Sequence, residues 1–504
     1  MASRPDVTTT EPATPGEDGL IAGTTVCCDQ AIFTSIPTAT GSGYRIVAAS
    51  RGLGPEGKKQ ITTRSPSHDG LCDPGPEAVG VSFYPLDSGR FCVAYTRCAG
   101  LEGTARGGQR LYTRALVLDE AGFRRFGYNP FCVVRALLGS DQAEPQLKPP
   151  PQLPALELPT GRRPETEALS RCAATVGVDW LCCVLQHALE RRPVVAVGPF
   201  SSPALVEAII LALPGPLRGR LSFGVGLRFS LGRRFDLNAL EGDARQLGHA
   251  VQGHGLLLIE AQLDRQAPPL PDCPWSQMAR RRWQQNRWAE LAELTGRDYP
   301  DCSTETLRRY GRLCNLRDDL LTFDAPALID LLDDHLGPAP PDDLEAELTV
   351  GLVRDALHHL TDRLSTAPIE GLTCRWDDVV NLWCRSPSAS ALLGPLVGTM
   401  LKRMTRLSPL EAAAAAASAL ARALQPEADT GPVRQALHDL LDHLIEWVHD
   451  GKPEDIENLP HLLAKWPPAG SLAGRLQDLR DQINARLEPV TAASPHDPDA
   501  LTAG

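Results

Sequence analysis

Apolar and polar positions are arranged in three different ways along this chain. Between residues 25 and about 138 the runs QAIFTSI, GYRIVAAS, VGVSFYPL, GRFCVAYTRCA and RLYTRALVLD are short and rich in β-branched and aromatic residues. Gly-rich turns separate them, and they predict strands. EAGFRRFGYNPFCVVRALLG predicts a turn and then a helix starting at Asn129-Pro130, since proline at a first helical position loses no hydrogen bond. From 169 to 265 the pattern alternates. LSRCAATVGVDWLCCVLQHALERR predicts one helix and PVVAVGPF a buried strand. SSPALVEAIILALPGPLRGR predicts a second helix, capped by serine and started by Pro203, and LSFGVGLRFS and GHGLLLIEAQ predict two more strands. After about 275 almost every apolar run has helical spacing, from WSQMARRRWQQNRWAELAEL to SLAGRLQDLRDQINARL.

The predicted fold class is therefore α+β and multidomain. A mainly-β N-terminal domain, 25–140, precedes a small α/β middle domain, 169–265, and an all-helical C-terminal region, 266–490. The Pro-dense stretch 141–168 is expected to be an extended linker between the first two. The polar ends, 1–24 and 491–504, are expected to be disordered tails. LIDLLDDHL and LHDLLDHLI are alike, but two short matches leave a bundle and a solenoid both open for the helical part.

Composition narrows the partners. With Asp+Glu 62 against Lys+Arg 50 the net charge is −12, so phosphate backbones and anionic membranes are not the expected partners. The 14 cysteines contain no C-x-x-C, and several sit in apolar runs such as RFCVAY and DWLCCVL, which predicts buried free thiols rather than disulfides or zinc. MASRPDVTTTEPATPGEDGL has no apolar core, and no run reaches the roughly 18 residues a spanning helix needs, so a cytoplasmic protein is expected.

GLGPEGKK, residues 52–59, is the strongest chemical motif. Gly52, four residues, Gly57 and Lys58 imitate a phosphate loop, and Gly52, Gly54 and Gly57 imitate a dinucleotide fingerprint. However, Lys59 stands where a magnesium-binding hydroxyl belongs, and Pro55 removes an amide. The β-branched, Ser-Pro-rich QITTRSPSHDG is not expected to start a helix, which leaves a solvated turn. Without such a loop, Glu260 at the end of LLLIEAQLD has no phosphate to serve. His249 and His254, near Glu241 and Asp243, lack a second cluster to complete a metal site, and the rings of His358 and His359 diverge on a helix. In ARRRWQQNRW, Arg280, Arg281, Arg282 and Arg287 lie among Trp283 and Trp288. Nucleic acid is one reading; docked tryptophans with arginines meeting acidic neighbours is the favoured one. No catalytic residue, cofactor site or metal site emerges, and the chain reads as no enzyme.

One resemblance adds to this. QAIFTSIPTATGSGYRIVAASRGL, SFYPLDSGRFCVAYTRCAG and GGQRLYTRALVLDEAGF, above all Tyr44–Leu53 and Leu111–Asp119, resemble the N-terminal domain, second type, of the bacterial GTPase-associated proteins. Residues 169–265 resemble the middle domain of those proteins, with the helical remainder in the place of their C-terminal region. The resemblance implies a non-enzymatic adaptor or regulator of a GTPase and other components of a bacterial conflict (defence-like) system. A fainter likeness links LCCVLQHALERRPVVAVGPFSSPALVEAIILALPGPL to DENN domains, with Arg191 and Arg192 ending a helix and the amides after Pro199 capping the next. That implies an exchange or activating factor as the alternative, and an NTP-binding enzyme using 52–59 is the third reading.

Overall fold

The five N-terminal runs fold as strands. They are β1 (Thr25–Thr38) and β2 (Gly41–Ser50), then, after α1 (Pro55–Arg64), β3 (Val79–Pro85), β4 (Phe91–Leu101) and β5 (Gln109–Leu118). In this computed structural model the described residues are 25–38, 41–73, 75–101, 108–140, 142–146, 148–242, 255–260, 273–299, 302–336, 342–385, 387–423, 431–450, 456–466 and 472–492. The N-terminal tail, residues 493–504, His249, His254 and Asp243 lie outside them, whereas Thr491 and Ala492 of the expected C-terminal tail are helical.

Helices α2 (Glu120–Arg125) and α3 (Pro130–Leu138) start where side chains satisfy free amides: Asp119 accepts from Gly122 N, and Asn129 from Phe131 N. Next come β6 (Gln152–Leu153), β7 (Leu156–Pro159), α4 (Thr166–Val176), α5 (Val178–Leu189), β8 (Val194–Gly198), α6 (Ser202–Ala212), α7 (Gly215–Arg220), β9 (Phe223–Val225), β10 (Leu237–Glu241) and β11 (Leu257–Glu260). The single helix expected over 169–192 is two helices bent by 102°, because Gly177 between them adopts φ +87°. Strand β10 was not anticipated from the pattern of FDLNALEG.

All these strands form one eleven-stranded sheet in the order β11-β8-β10-β9-β3-β4-β5-β1-β2-β6, with β7 pairing β1. Strands β8 to β11 run parallel to their neighbours, and β9 meets β3 antiparallel, Phe223 opposite Phe83. The boundary expected at 141–168 therefore does not divide the sheet. Prolines there keep their carbonyls as acceptors, and the stretch still pairs: Ala49 N donates to Pro151 O at 3.1 Å, and Thr25–Cys28 of β1 pair with Leu156–Pro159. Packing joins the halves as well. Phe83, Phe91 and Phe123 stack with Phe223 and Phe131 on one face, centroids 4.9–6.2 Å apart. The other face buries Ala31, Tyr84, Cys92, Ala115 and Val117 under Leu53 and Ile61 of the α1 region and under Leu227 and Phe235.

Helices α8 (Pro274–Gln284) and α9 (Trp288–Thr295) complete the first compact unit, which ends at Gly311 within α10 (Thr304–Asp319). The division thus falls later than the expected 265/266, because α8 packs on α5 and α9 on α6. Unit 2 continues with α11 (Ala325–His335), α12 (Asp343–Thr366), α13 (Ile369–Trp383), α14 (Pro387–Leu407), α15 (Pro409–Ala423), α16 (Gly431–Asp450), α17 (Leu459–Leu463) and α18 (Ala473–Ala492). Its helices pack mainly on their next and next-but-one neighbours along the chain, the pattern of stacked helical repeats rather than of a closed bundle. One core runs through it from Leu352 and Trp383 to Leu440 and Leu479, and the buried indoles of Trp376 and Trp466 donate to the carbonyls of Ala415 and Ala413. No single helix among the described residues is long and apolar enough to cross a membrane.

The cysteines are free thiols, seven of them buried, with Cys27 and Cys374 exposed. Burial pushes Cys28, Cys92, Cys172 and Cys182 up to about 12 and Cys132 up to about 11 from an ordinary 9.0. A folded-state pKa above the unfolded value gives stability that is complete below pH 9 and lost as pH rises through 11 to 12. Stability is accordingly expected to fall from pH 9 upward in alkaline titrations. At neutral pH a thiol reagent should label Cys27 and Cys374 first and the buried thiols only on unfolding; prompt labelling of Cys92 would contradict this packing.

Candidate functional site

Two places in unit 1 have the backbone outline of an anion cup, and a carboxylate of the chain lies against the first and takes the amide of the second. The first is the strand–turn–helix at 50–64. Contrary to the sequence expectation, a helix does begin, at Pro55. Local propensity is overridden because Leu53 and Ile61 are buried against the sheet and Pro55 presets the first φ. The hydroxyls of Thr62, Thr63 and Ser65 fold back onto the carbonyls of Lys58, Lys59 and Ile61 at 2.7–3.0 Å.

The residues there still do not fit phosphates. Pro55 has no amide, Lys58 N donates to Gly54 O at 3.1 Å, and Glu56 places a negative charge in the first turn. Beneath the loop Asp29 Oδ2 meets Arg90 Nη2 at 2.5 Å, and Arg90 Nη1 donates to Gly52 O at 3.3 Å. A Cβ at position 52 would lie 2.3 Å from Asp29 Oδ2, so glycine serves this ion pair rather than a ligand. Lys58 and Lys59 are exposed.

The second cup is where ligands of open α/β sheets usually bind, at the carboxyl ends of β8 and β10. Here Glu241 Oε1 accepts from Ser202 N at 3.1 Å and from Ser202 Oγ at 3.3 Å. Ser201 makes no side-chain cap, so the expected serine cap of α6 is corrected to a glutamate from the neighbouring strand. Glu260 ends β11, one strand away.

The other motifs are absorbed by packing. Trp275, Trp283 and Trp288 are buried, Arg280 pairs with Asp179 at 2.7 Å, and Arg287 donates to Glu290. His358 lies 3.5 Å from Asp362 on α12, its ring centroid 5.9 Å from that of His359. Among the described residues no three His, Cys, Asp or Glu groups are gathered as for a metal. Arg191 takes φ +56° just after α5, and Arg192 pairs with Glu190 at 3.0 Å.

Strands β1 to β5, helices α1 to α3 and the closing β7, which returns to β1, make one module with its two ends side by side. Residues 28–159 match the GTPase-associated protein 1 N-terminal domain, type 2. No curated protein matches the chain. The GTPase-associated domain so defined includes β6 and β7, so its end lies beyond the expected 140, at the pairing that closes it. Its β3 edge is then extended by β9 from outside the match.

What sequence reasoning missed is the loop joining β9 to β10. Parallel neighbours usually need a helix between them, but residues 226–236 cross without one and carry Arg228, Arg233 and Arg234. The only sequence signal was a doubled arginine between two phenylalanines.

Proposed function

We propose that this chain is a non-enzymatic adaptor or regulator that binds a GTPase within a bacterial conflict (defence-like) system in the cytoplasm. The observation that carries this reading is the match of the GTPase-associated domain over residues 28–159. Two local features support it: Glu241 takes the Ser202 amide and hydroxyl that a phosphate would need, and Asp29, paired with Arg90, puts a carboxylate beside Gly52. Charge supports a division of labour. Residues 312–504 hold 30 of the 62 acids but 16 of the 50 Lys+Arg, so unit 2 carries −14 and unit 1 carries +2. A strongly acidic helical array suits a further, basic protein component.

GTPases encoded beside this chain, co-expressed and loaded with GDP or GTP, are expected to co-purify with it in at least one state. No association in either state would overturn the proposal. The chain alone is expected to retain no labelled ATP or GTP with magnesium. Tight binding abolished by Lys58→Ala would move the nucleotide chemistry into this chain. Faster nucleotide release or hydrolysis at substoichiometric amounts would make it an exchange or activating factor instead.

A further inference from the structure

The β9–β10 crossover is held down at several points. Phe235 is buried against the sheet and Phe229 packs on Val195, Val197 and Leu240. Arg228 N donates to Gly70 O at 2.9 Å, and Arg233 N to Ser230 O at 3.0 Å. Arg233 is half-buried, and its guanidinium donates to the Arg228 carbonyl at 2.8 Å, closing the loop on itself. Three side chains are left facing outward: Arg228, Leu231, which is 39% exposed, and Arg234.

Among the described residues none of the three arginines lies within ion-pair distance of a carboxylate. The two acids that follow them are engaged elsewhere: Asp236 accepts from Ser222 N at 2.8 Å and Ser222 Oγ at 2.7 Å, and Glu241 from Ser202. The contrast with the other arginine-rich segment is plain, because Arg280 and Arg287 both have acidic partners. A rigid loop loses little freedom on binding, and exposed arginines beside an apolar side chain are the usual anchors of a protein interface.

We propose that residues 228–234 form a docking surface for an acidic, carboxylate-lined face of the GTPase partner. Arg228, Arg234 and Leu231 make the contacts, and Arg233 holds the loop in shape. The partner's identity as a GTPase rests on the proposed function; the loop and its chemistry are independent of it.

The test measures the Kd of the full chain for the co-purifying GTPase, at low and at physiological salt. The double variant Arg228→Glu/Arg234→Glu is compared with Arg228→Lys/Arg234→Lys. Charge reversal is expected to weaken binding about tenfold or more, while the lysine pair keeps most of the affinity and wild-type binding weakens as salt rises. Unchanged thermal unfolding shows that the exposed substitutions leave the fold intact. Wild-type binding that charge reversal leaves within about twofold overturns the docking surface but not the adaptor reading. A lost effect on GTP hydrolysis at unchanged Kd also overturns it, since the arginines would then act on the reaction and not on docking. Absence of any wild-type binding overturns the adaptor reading itself.

Discussion

Replacing Glu207 with alanine is expected to lower the stability of unit 1 by about 3–5 kcal/mol, because it leaves a buried guanidinium without its carboxylate. Glu207 sits in the middle of α6, whose residues are nearly all buried, and meets Arg135 of α3 through two bonds, 2.6 Å to Oε1 and 3.0 Å to Oε2. Asn129 Nδ2 adds a third donor at 2.8 Å while its Oδ1 caps α3. After truncation Arg135 keeps only the weak acceptor Cys132 Sγ, at 3.3 Å. The neutral Glu207→Gln retains an acceptor for Asn129 and should lose less. Converting both members, Glu207→Leu with Arg135→Met, should recover much of the loss, since no lone charge then remains in the core. Urea unfolding of the four proteins gives the comparison. A Glu207→Ala loss below about 1 kcal/mol would mean that water reaches the pair.

That pair also marks the limit of what was legible in the chain. The strands β1 to β5 could be read directly, because each is a local run whose β-branched and aromatic residues suit a pleated surface. The helix at Asn129-Pro130 was equally local. The joining of 25–140 to 169–265 was not. It depends on β3 meeting β9, on the phenylalanine stack and on Arg135 reaching Glu207, all separated by 70 or more residues, as |i−j| of 72 for the ion pair illustrates. In the sequence Glu207 is only a charge interrupting an apolar run. Helix α1 was hidden for the opposite reason: Ile61, Thr62 and Thr63 speak locally for extended chain, and only burial of Leu53 and Ile61 reverses them.

The candidate docking surface divides the same way. The arginines of LRFSLGRRFDL are visible, but so are many others. What selects them is that three arginines, none within ion-pair distance of a carboxylate among the described residues, share one loop held by two phenylalanines that turn inward, and that clustering is a property of the folded chain. The glycine-rich turn shows the converse. A motif at 52–59 was legible and misleading, because Asp29, whose carboxylate occupies the space beside Gly52, lies on another strand.

Arg218→Met is expected to destabilise unit 1 by several kcal/mol, although the side chain it removes is a buried cation with no carboxylate bonded to it. Burial lowers its pKa from an ordinary 12.5 to about 10, so the charge is retained at neutral pH against desolvation. Against this stand bonds from all its guanidinium nitrogens: Nε to Leu213 O at 2.7 Å, Nη1 to Gly127 O at 2.5 Å, and Nη2 to Leu211 O at 3.3 Å and to Thr295 Oγ1. Charged hydrogen bonds contribute about 1.5–3 kcal/mol each, and removing the side chain takes away four of them at once. Methionine would match the stem and leave those acceptors in a dry core, at the carboxyl end of α6 where the helix dipole already favours a cation. Arg218→Lys keeps the charge but not the fork, and should recover only part of the loss. The three segments that Arg218 ties together are the turn after α2, the end of α6 and the end of α9, so hydrogen exchange offers the sharper readout. In the methionine variant, amides of all three should lose protection together. Loss confined to α7 would show that the arginine serves its own helix alone and is not what fastens the GTPase-associated domain to the α/β layer beside it.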